Sequence, residues 1–204
     1  MTTIDAAGRG QVPPAEFRRT TGETDITGRL QIRGAGEKGR ISTGIGMLDH
    51  MLDALATHAR FRLDLEATGD LAVDDHHVVE DCAIVIARLL ADALGDRSGI
   101  ERFGWAMVPL DEALTRVSVD LVSRPSACVD LGLVRPMIGG LASENAVHFF
   151  ETLALTAPFT LHVKVLEGRN DHHRLESAFK SLALALRFAV QPSVALASTK
   201  GTLS

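Results

Sequence analysis

Two five-residue stretches carry the residue types best suited to chemistry: His76-His77-Val78-Val79-Glu80 and His172-His173-Arg174-Leu175-Glu176. Imidazole and carboxylate donors together suit a borderline or hard divalent ion. Spacing decides how they can act. On a helix, His76 and Glu80 are four residues apart and share a face, whereas His77 lies about 100° round from His76. The two imidazoles of one doublet are poorly placed to grip one ion and more naturally serve two.

An internal repeat sorts the chain's eight histidines. His50 to Leu63 matches His148 to Leu161, with His50/His148, Leu55/Leu153, Ala56/Ala154, Ala59/Ala157, Phe61/Phe159 and Leu63/Leu161 identical. After a two-residue slip, Asp75-His76-His77 matches Asp171-His172-His173, Glu80 matches Glu176, and Ala87/Ala183, Leu90/Leu186 and Ala93/Ala189 continue the match. His58 aligns with Thr156 and His162 with Asp64, so neither is assigned a ligand role. Adding His50 and His148 to the doublets gives six His and two Glu. That inventory divides into two sites of three His and one Glu, each with open positions for substrate and water. Cys82 and Cys128 form no Cys-x-x-Cys pair, which argues against thiolate zinc or redox motifs. The remaining N/O donor set suits Mn²⁺, Fe²⁺ or Co²⁺, and Zn²⁺ is compatible with it.

The elements that must position these residues recur in both halves. A helix is expected after His50 and another after His148, with Met51, Leu52 and Leu55 at helical spacing. Phe61, Leu63 and Leu65 alternate with Arg62, Asp64 and Glu66, the period of a half-buried strand; Phe159, Leu161, Val163 and Val165 repeat the pattern. Asp75 and Asp171 stand where a helix N-cap is favoured. The helix after His76 is apolar through Ile84, Val85, Leu89, Leu90 and Leu94 and must be covered on most sides. Further strands are expected at 26–33, 39–42, 113–121 and 126–131. The fold class that follows is α+β: a duplicated half-domain, each half a mixed β-sheet backed by helices, with the helices between the two sheets.

Composition sets the outer bounds. The 204 residues, 46% hydrophobic and 23% charged, suffice for a core without disulfides. Residues 1–15 read as a disordered tail and 16–204 as one domain of two repeats, about 16–105 and 106–204. A net charge of −5 argues against a nucleic-acid surface. No apolar run is long enough for a membrane span, and the cysteine usage suits the cytoplasm. Gly34-Ala35-Gly36-Glu37-Lys38-Gly39 formally fits Gly-x-Gly-x-x-Gly, but Arg40-Ile41-Ser42-Thr43 after it reads as a strand, so the motif reads as a hairpin loop. Arg102, Arg124, Lys180 and the closing Ser198-Thr199-Lys200-Gly201 are basic and hydroxyl groups suited to an anionic substrate such as a phosphate.

The sequence resembles the imidazoleglycerol-phosphate dehydratase family. The stretches that carry the resemblance are 19–26 (Arg-Thr-Thr-Gly-Glu-Thr-Asp-Ile), 48–52 (Leu-Asp-His-Met-Leu), 75–81 (Asp-His-His-Val-Val-Glu-Asp), 102–104 (Arg-Phe-Gly), 109–113 (Pro-Leu-Asp-Glu-Ala), 168–173 (Gly-Arg-Asn-Asp-His-His) and 198–201. The resemblance implies a lyase of histidine biosynthesis that dehydrates D-erythro-imidazole-glycerol phosphate to imidazole-acetol phosphate. It implies two Mn²⁺ per active site that bind the substrate's own imidazolate. The matching ligands are His50, His76, His77, Glu80, His148, His172, His173 and Glu176. Glu23 matches the family's acid/base carboxylate, and Arg102, Arg124, Lys180, Ser198 and Lys200 match its substrate and phosphate contacts. It also implies a homo-oligomer of 24 copies with sites between subunits. Departures from the usual pattern fall at 44–47, Val78, Ser123 and Val147, and none removes a ligand. Two other readings fit the residues: a metal-dependent phosphate-ester hydrolase, and a non-catalytic metal-stabilised shell.

Overall fold

Period-two alternation makes most strands of this chain one-sided surfaces that need covering. The computed structural model describes residues 13–32 and 38–193. In chain order the first half comprises β1 (Ala15–Thr20), β2 (Thr24–Gln31), β3 (Ile41–Ser42), α1 (Gly46–Ala59), β4 (Arg62–Gly69) and α2 (His76–Leu94). The second comprises β5 (Phe103–Leu110), β6 (Ala113–Asp120), β7 (Ser126–Asp130), the short β8 (Met137–Ile138) and β9 (Leu141–Ala142), α3 (Ser143–Thr156), β10 (Thr160–Glu167) and α4 (Asp171–Ala189). The sheets have matching orders, β1-β2-β4-β3 and β5-β6-β10-β7. In each, the last-named strand runs parallel to its neighbour while the others are antiparallel. The duplicated α+β architecture is therefore present.

The helices lie between the sheets, and their partners are exchanged between halves. α2 covers β1 and β2, and α4 covers β5 and β6. α1 belongs to the first half but packs along α4, while α3 belongs to the second and packs along α2. Phe149 and Phe150 of α3 meet Phe179 of α4 with ring centroids 5.3 and 4.7 Å apart, all three fully buried. Burying each such ring contributes about 1.5–3 kcal/mol. Close approach is secured by glycine: a Cβ on Gly28 would stand 2.7 Å from Leu89 Cδ1, and one on Gly104 would stand 1.9 Å from the Ala185 carbonyl oxygen.

Several local expectations need correction. β1 and β5 were not among the expected strands, and β3 is only two residues long. α1 and α3 begin before His50 and His148, so both imidazoles sit inside a helix rather than ahead of one. Asp75 is the N-cap residue of α2, but its side chain makes no cap bond, and Asp171 is the first residue of α4, behind its N-cap Asn170. The side-chain bonds to the first helical N–H groups come from one residue earlier: Asp74 Oδ1 accepts from the His76 N–H, and Asn170 Oδ1 from the His172 N–H, each at 2.9 Å. Asp75 and Asp171 are buried and lace other segments of the second half to the helix starts. Asp75 accepts from the Ala142 N–H at 2.8 Å, and Asp171 from Val134 and Arg135 at 3.0 and 2.7 Å. Residues 1–12, residues 33–37, where the hairpin loop is expected, and Ser198 and Lys200 lie outside the described residues.

Candidate metal centre

The exchange of helices assembles two clusters of donors. α1 delivers His50 to His172 and Glu176 of α4; α3 delivers His148 to His76 and Glu80 of α2. Within each cluster one donor atom per residue lies within 4.8 Å of the others. In the first, His50 Nε2 and His172 Nε2 stand 3.3 and 3.1 Å from Glu176 Oε2. In the second, His148 Nε2 stands 3.0 Å from Glu80 Oε1, and the His76 and His148 rings stack at 5.2 Å. Neither His58 nor His162 joins a cluster among the described residues.

The second imidazole of each doublet turns away from its neighbour. The His76 and His77 rings are 5.8 Å apart at 72°, and those of His172 and His173 are 6.1 Å apart at 87°. This is the divergence that helix periodicity demands, and it leaves His77 and His173 outside the in-chain clusters. His77 Nδ1 donates to Asp70 Oδ2 at 3.0 Å, with Glu23 Oε1 at 3.8 Å from its Nε2. His173 Nδ1 donates to Glu112 Oε2 at 2.7 Å. These partners hold both imidazolium forms above the usual range, Asp70 chiefly for His77 and Glu112 chiefly for His173. Glu112, held by His173 and by the Asn170 and Arg169 N–H groups, is lowered to about 2.

Asn145, Asp70 and Glu112 were not singled out from sequence. His76 Nδ1 donates to Asn145 Oδ1 at 2.9 Å, and Asn145 Nδ2 donates in turn to Asp75 Oδ1 at 2.9 Å. An acceptor on Nδ1 fixes the tautomer and leaves Nε2 to face a ligand. Asn145 lies three residues before His148 on the same helix, a spacing that could have marked it. Asp70 carries no such signal.

The donor set fits a divalent cation of mixed N/O preference. It has no thiolate, its Nε2 atoms converge with carboxylates, and its Nδ1 atoms on three of the imidazoles already have acceptors. Glu176 is also contacted by Lys180 Nζ at 2.8 Å. Burial pushes the Glu176 carboxyl up, but Lys180 and His50 outweigh it and the net shift is downward. Beside the Glu80 cluster is a cavity of about 590 Å³ lined by Asp74, His76, Asn145, His148 and Glu151 among others.

The basic residues divide. Lys180 joins the Glu176 cluster. Arg102 does not: its N–H donates to the Ala189 carbonyl at 3.0 Å. That is the far end of α4 from His172, roughly 25 Å away at 1.5 Å per residue. Its guanidinium grips Asp120 at 2.7 and 3.0 Å, and Arg124 Nη2 lies 3.8 Å from the same carboxylate. Arg102 and Arg124 thus converge with each other and not with either cluster.

Relatives supply an independent comparison. The family profile for imidazoleglycerol-phosphate dehydratase matches residues 43–186. A Phytophthora nicotianae protein named imidazoleglycerol-phosphate dehydratase is 53% identical over 199 residues, covering 97% of this chain and 44% of that protein. This chain thus spans less than half of that relative's length. The Candida glabrata imidazoleglycerol-phosphate dehydratase is 50% identical over 181 residues, covering 88% of this chain and 86% of that one. The crystal structure of the Pyrococcus furiosus enzyme superposes with a TM-score of 0.80 at 41% identity, covering 92% of this chain and 100% of that one. That of the Staphylococcus aureus enzyme gives 0.78 at 32%, covering 89% of this chain and 100% of that one. The chain belongs to the imidazoleglycerol-phosphate dehydratase family of enzymes.

Proposed function

We propose that this enzyme dehydrates D-erythro-imidazole-glycerol phosphate to imidazole-acetol phosphate with two Mn²⁺ per active site, in the cytoplasm, as a homo-oligomer whose sites lie between subunits. The observation that carries the reading is the pair of crossed clusters, His50/His172/Glu176 and His76/Glu80/His148. His77 and His173 face outward from them, as ligands to ions shared with another copy would. When bound, the ions would supply Lewis acidity to the substrate's imidazole nitrogens.

The chain's own residues do the rest. Glu23 sits in the β1–β2 turn, where its N–H and that of Thr24 donate to Thr21 Oγ1 at 3.1 and 3.0 Å. Thr24 is tied in turn to buried Asp81, which Arg19 also contacts at 2.7 Å. The turn is thereby fixed to α2 while Oε1 of Glu23 stays at the surface to take up and return the reaction's proton. Lys180 stands ready for the substrate's anionic end. Arg102 and Arg124 are too far from the clusters of their own chain to contribute there, which supports their service to a neighbouring copy. The open face of β5, where Phe103, Trp105 and Met107 are 56%, 70% and 48% exposed, supports burial in a 24-copy assembly.

The test is direct. Protein, Mn²⁺ and imidazole-glycerol phosphate should yield an enolisable ketone seen in the ultraviolet, and chelator should abolish it. No product at saturating metal would sink the proposal. Release of free phosphate would instead mark an ester hydrolase.

A further inference from the structure

The register of the two sheets aligns residues that sequence identity does not. Thr20 pairs with Asp25 across the β1–β2 turn, and Pro109 pairs with Leu114 across the β5–β6 turn. The turns have equal length, so Glu23 and Glu112 occupy the same position in the two halves. Both stand beside the second imidazole of their own half's doublet. Their attachments differ. The Glu23 carboxylate comes no nearer to His77 than 3.8 Å. The Glu112 carboxylate is anchored on both oxygens: Oε1 accepts from the Arg169 and Asn170 N–H groups at 3.1 and 2.8 Å, and Oε2 accepts from His173 Nδ1 at 2.7 Å. In the first half the Nδ1 position of His77 is taken by Asp70, and the other oxygen of Asp70 is buried without a partner among the described residues.

We infer that Glu112 is a positioning residue: it ties the start of α4 and the His173 ring into one unit, so that His173 presents Nε2 outward as a metal donor. One ancestral turn position has thus taken two jobs, a carboxylate left at liberty in the first half and a clamped one in the second. The clamp acts through His173 and touches no reacting atom. A carboxylate on Nδ1 fixes the tautomer and raises the basicity of the ligating nitrogen, and losing such a partner costs about 10–100-fold in metal affinity.

This inference rests on the proposed metal ligation and is tested apart from turnover. Mn²⁺ release to a competing chelator is followed for the purified, Mn²⁺-loaded full-length protein and for Glu112→Gln and Glu112→Ala. Histidine tautomers are read by ¹⁵N resonance in the same three proteins after the paramagnetic Mn²⁺ has been removed. The expected result is one class of Mn²⁺ released about 10–100-fold more readily in both variants, a second class unchanged, and a mixed tautomer at His173. Glu112→Gln keeps an oxygen for the Arg169 and Asn170 N–H groups, so it carries the test if the alanine variant does not fold. A lowered melting temperature with both Mn²⁺ classes retained as in the parent would overturn the inference, leaving Glu112 as a loop anchor alone. A parent protein that holds no Mn²⁺ would overturn both this inference and the proposed function.

Discussion

β1 and β5 open the two halves at equivalent positions, yet their outward faces are opposites. β1 shows Glu16, Arg18 and Thr20, and the matching sites on β5 are Trp105, Met107 and Pro109. Arg18 reaches Asp25 at 2.6 and 2.9 Å and Thr20 reaches it at 2.9 Å, a polar lattice whose counterparts Met107, Leu114 and Pro109 are all apolar. Inward positions diverge too, but in compensation. Gly28 lies under Leu89 and Val85. Its counterpart is Val117, beneath a helix that carries Ala185 and Ser181 where α2 carries that Leu and Val. The comparison shows which features the duplication has held fixed. Helix placement and cluster composition are common to both halves, while surfaces and turn carboxylates have separated.

Four experiments press on that difference. Glu23→Gln should lower kcat by about 100- to 10,000-fold with Mn²⁺ content unchanged. Steady-state kinetics beside metal analysis would expose a failure, since an effect no larger than that of Glu112→Gln would mean the two turn carboxylates have not separated in role. Gly28→Val should destabilise by about 1–3 kcal/mol through overpacking. Adding Leu89→Ala should recover much of the loss in denaturant titrations, and a simple sum of the two losses would break the compensation argument. Trp105→Glu with Met107→Arg writes the β1 face onto β5. Sedimentation should then show smaller particles than the proposed assembly, with helical content preserved, and an unchanged size would remove this face from that proposal.

The smallest effect is electrostatic. Arg18 and then Thr20 hold the exposed Asp25 carboxyl at about 2, below its ordinary 3.8. A depressed carboxylate stabilises the fold above its unfolded value and ceases to do so as pH falls through the folded one. Asp25→Asn should therefore melt slightly below the parent at pH 6, with the gap closing between about pH 4 and pH 2. A gap that persists at pH 2 would assign the loss to packing.

Much of the candidate site was legible because the repeat writes each candidate donor twice. His50 and His148 stand far from the doublets in sequence, and it is the repeat that joins them to the set. What remained hidden depends on tertiary partners. A carboxylate before a helix usually caps it with its side chain; here Asp75 holds the N-cap position and Asp171 starts its helix, but donors elsewhere in the second half claim the oxygens of both. β5 was missed because Phe103-Gly104-Trp105-Ala106-Met107 is apolar or glycine at every position and shows no period-two contrast. β1 is short, and the reading of a tail through residue 15 ran into its start. Asn145 and Asp70 reach their imidazoles across the fold or from a loop. Glu112 could have been found by aligning the two turns, but that alignment needs the strand register.

The crossed packing of α1 on α4 and of α3 on α2 has a consequence for how the protein comes into being. His50 and Glu176 are 126 residues apart in the chain, and Glu80 and His148 are 68 apart. Contacts of such long range form late, because the closing of large loops must precede their reward. On the ribosome, neither cluster can form from the first half alone, and the one that uses α4 must wait until α4 itself has emerged. A nascent or truncated chain ending before α4 would lack one of the two donor clusters. Under the proposed metal binding, retention of both ions would then report that α4 has been made.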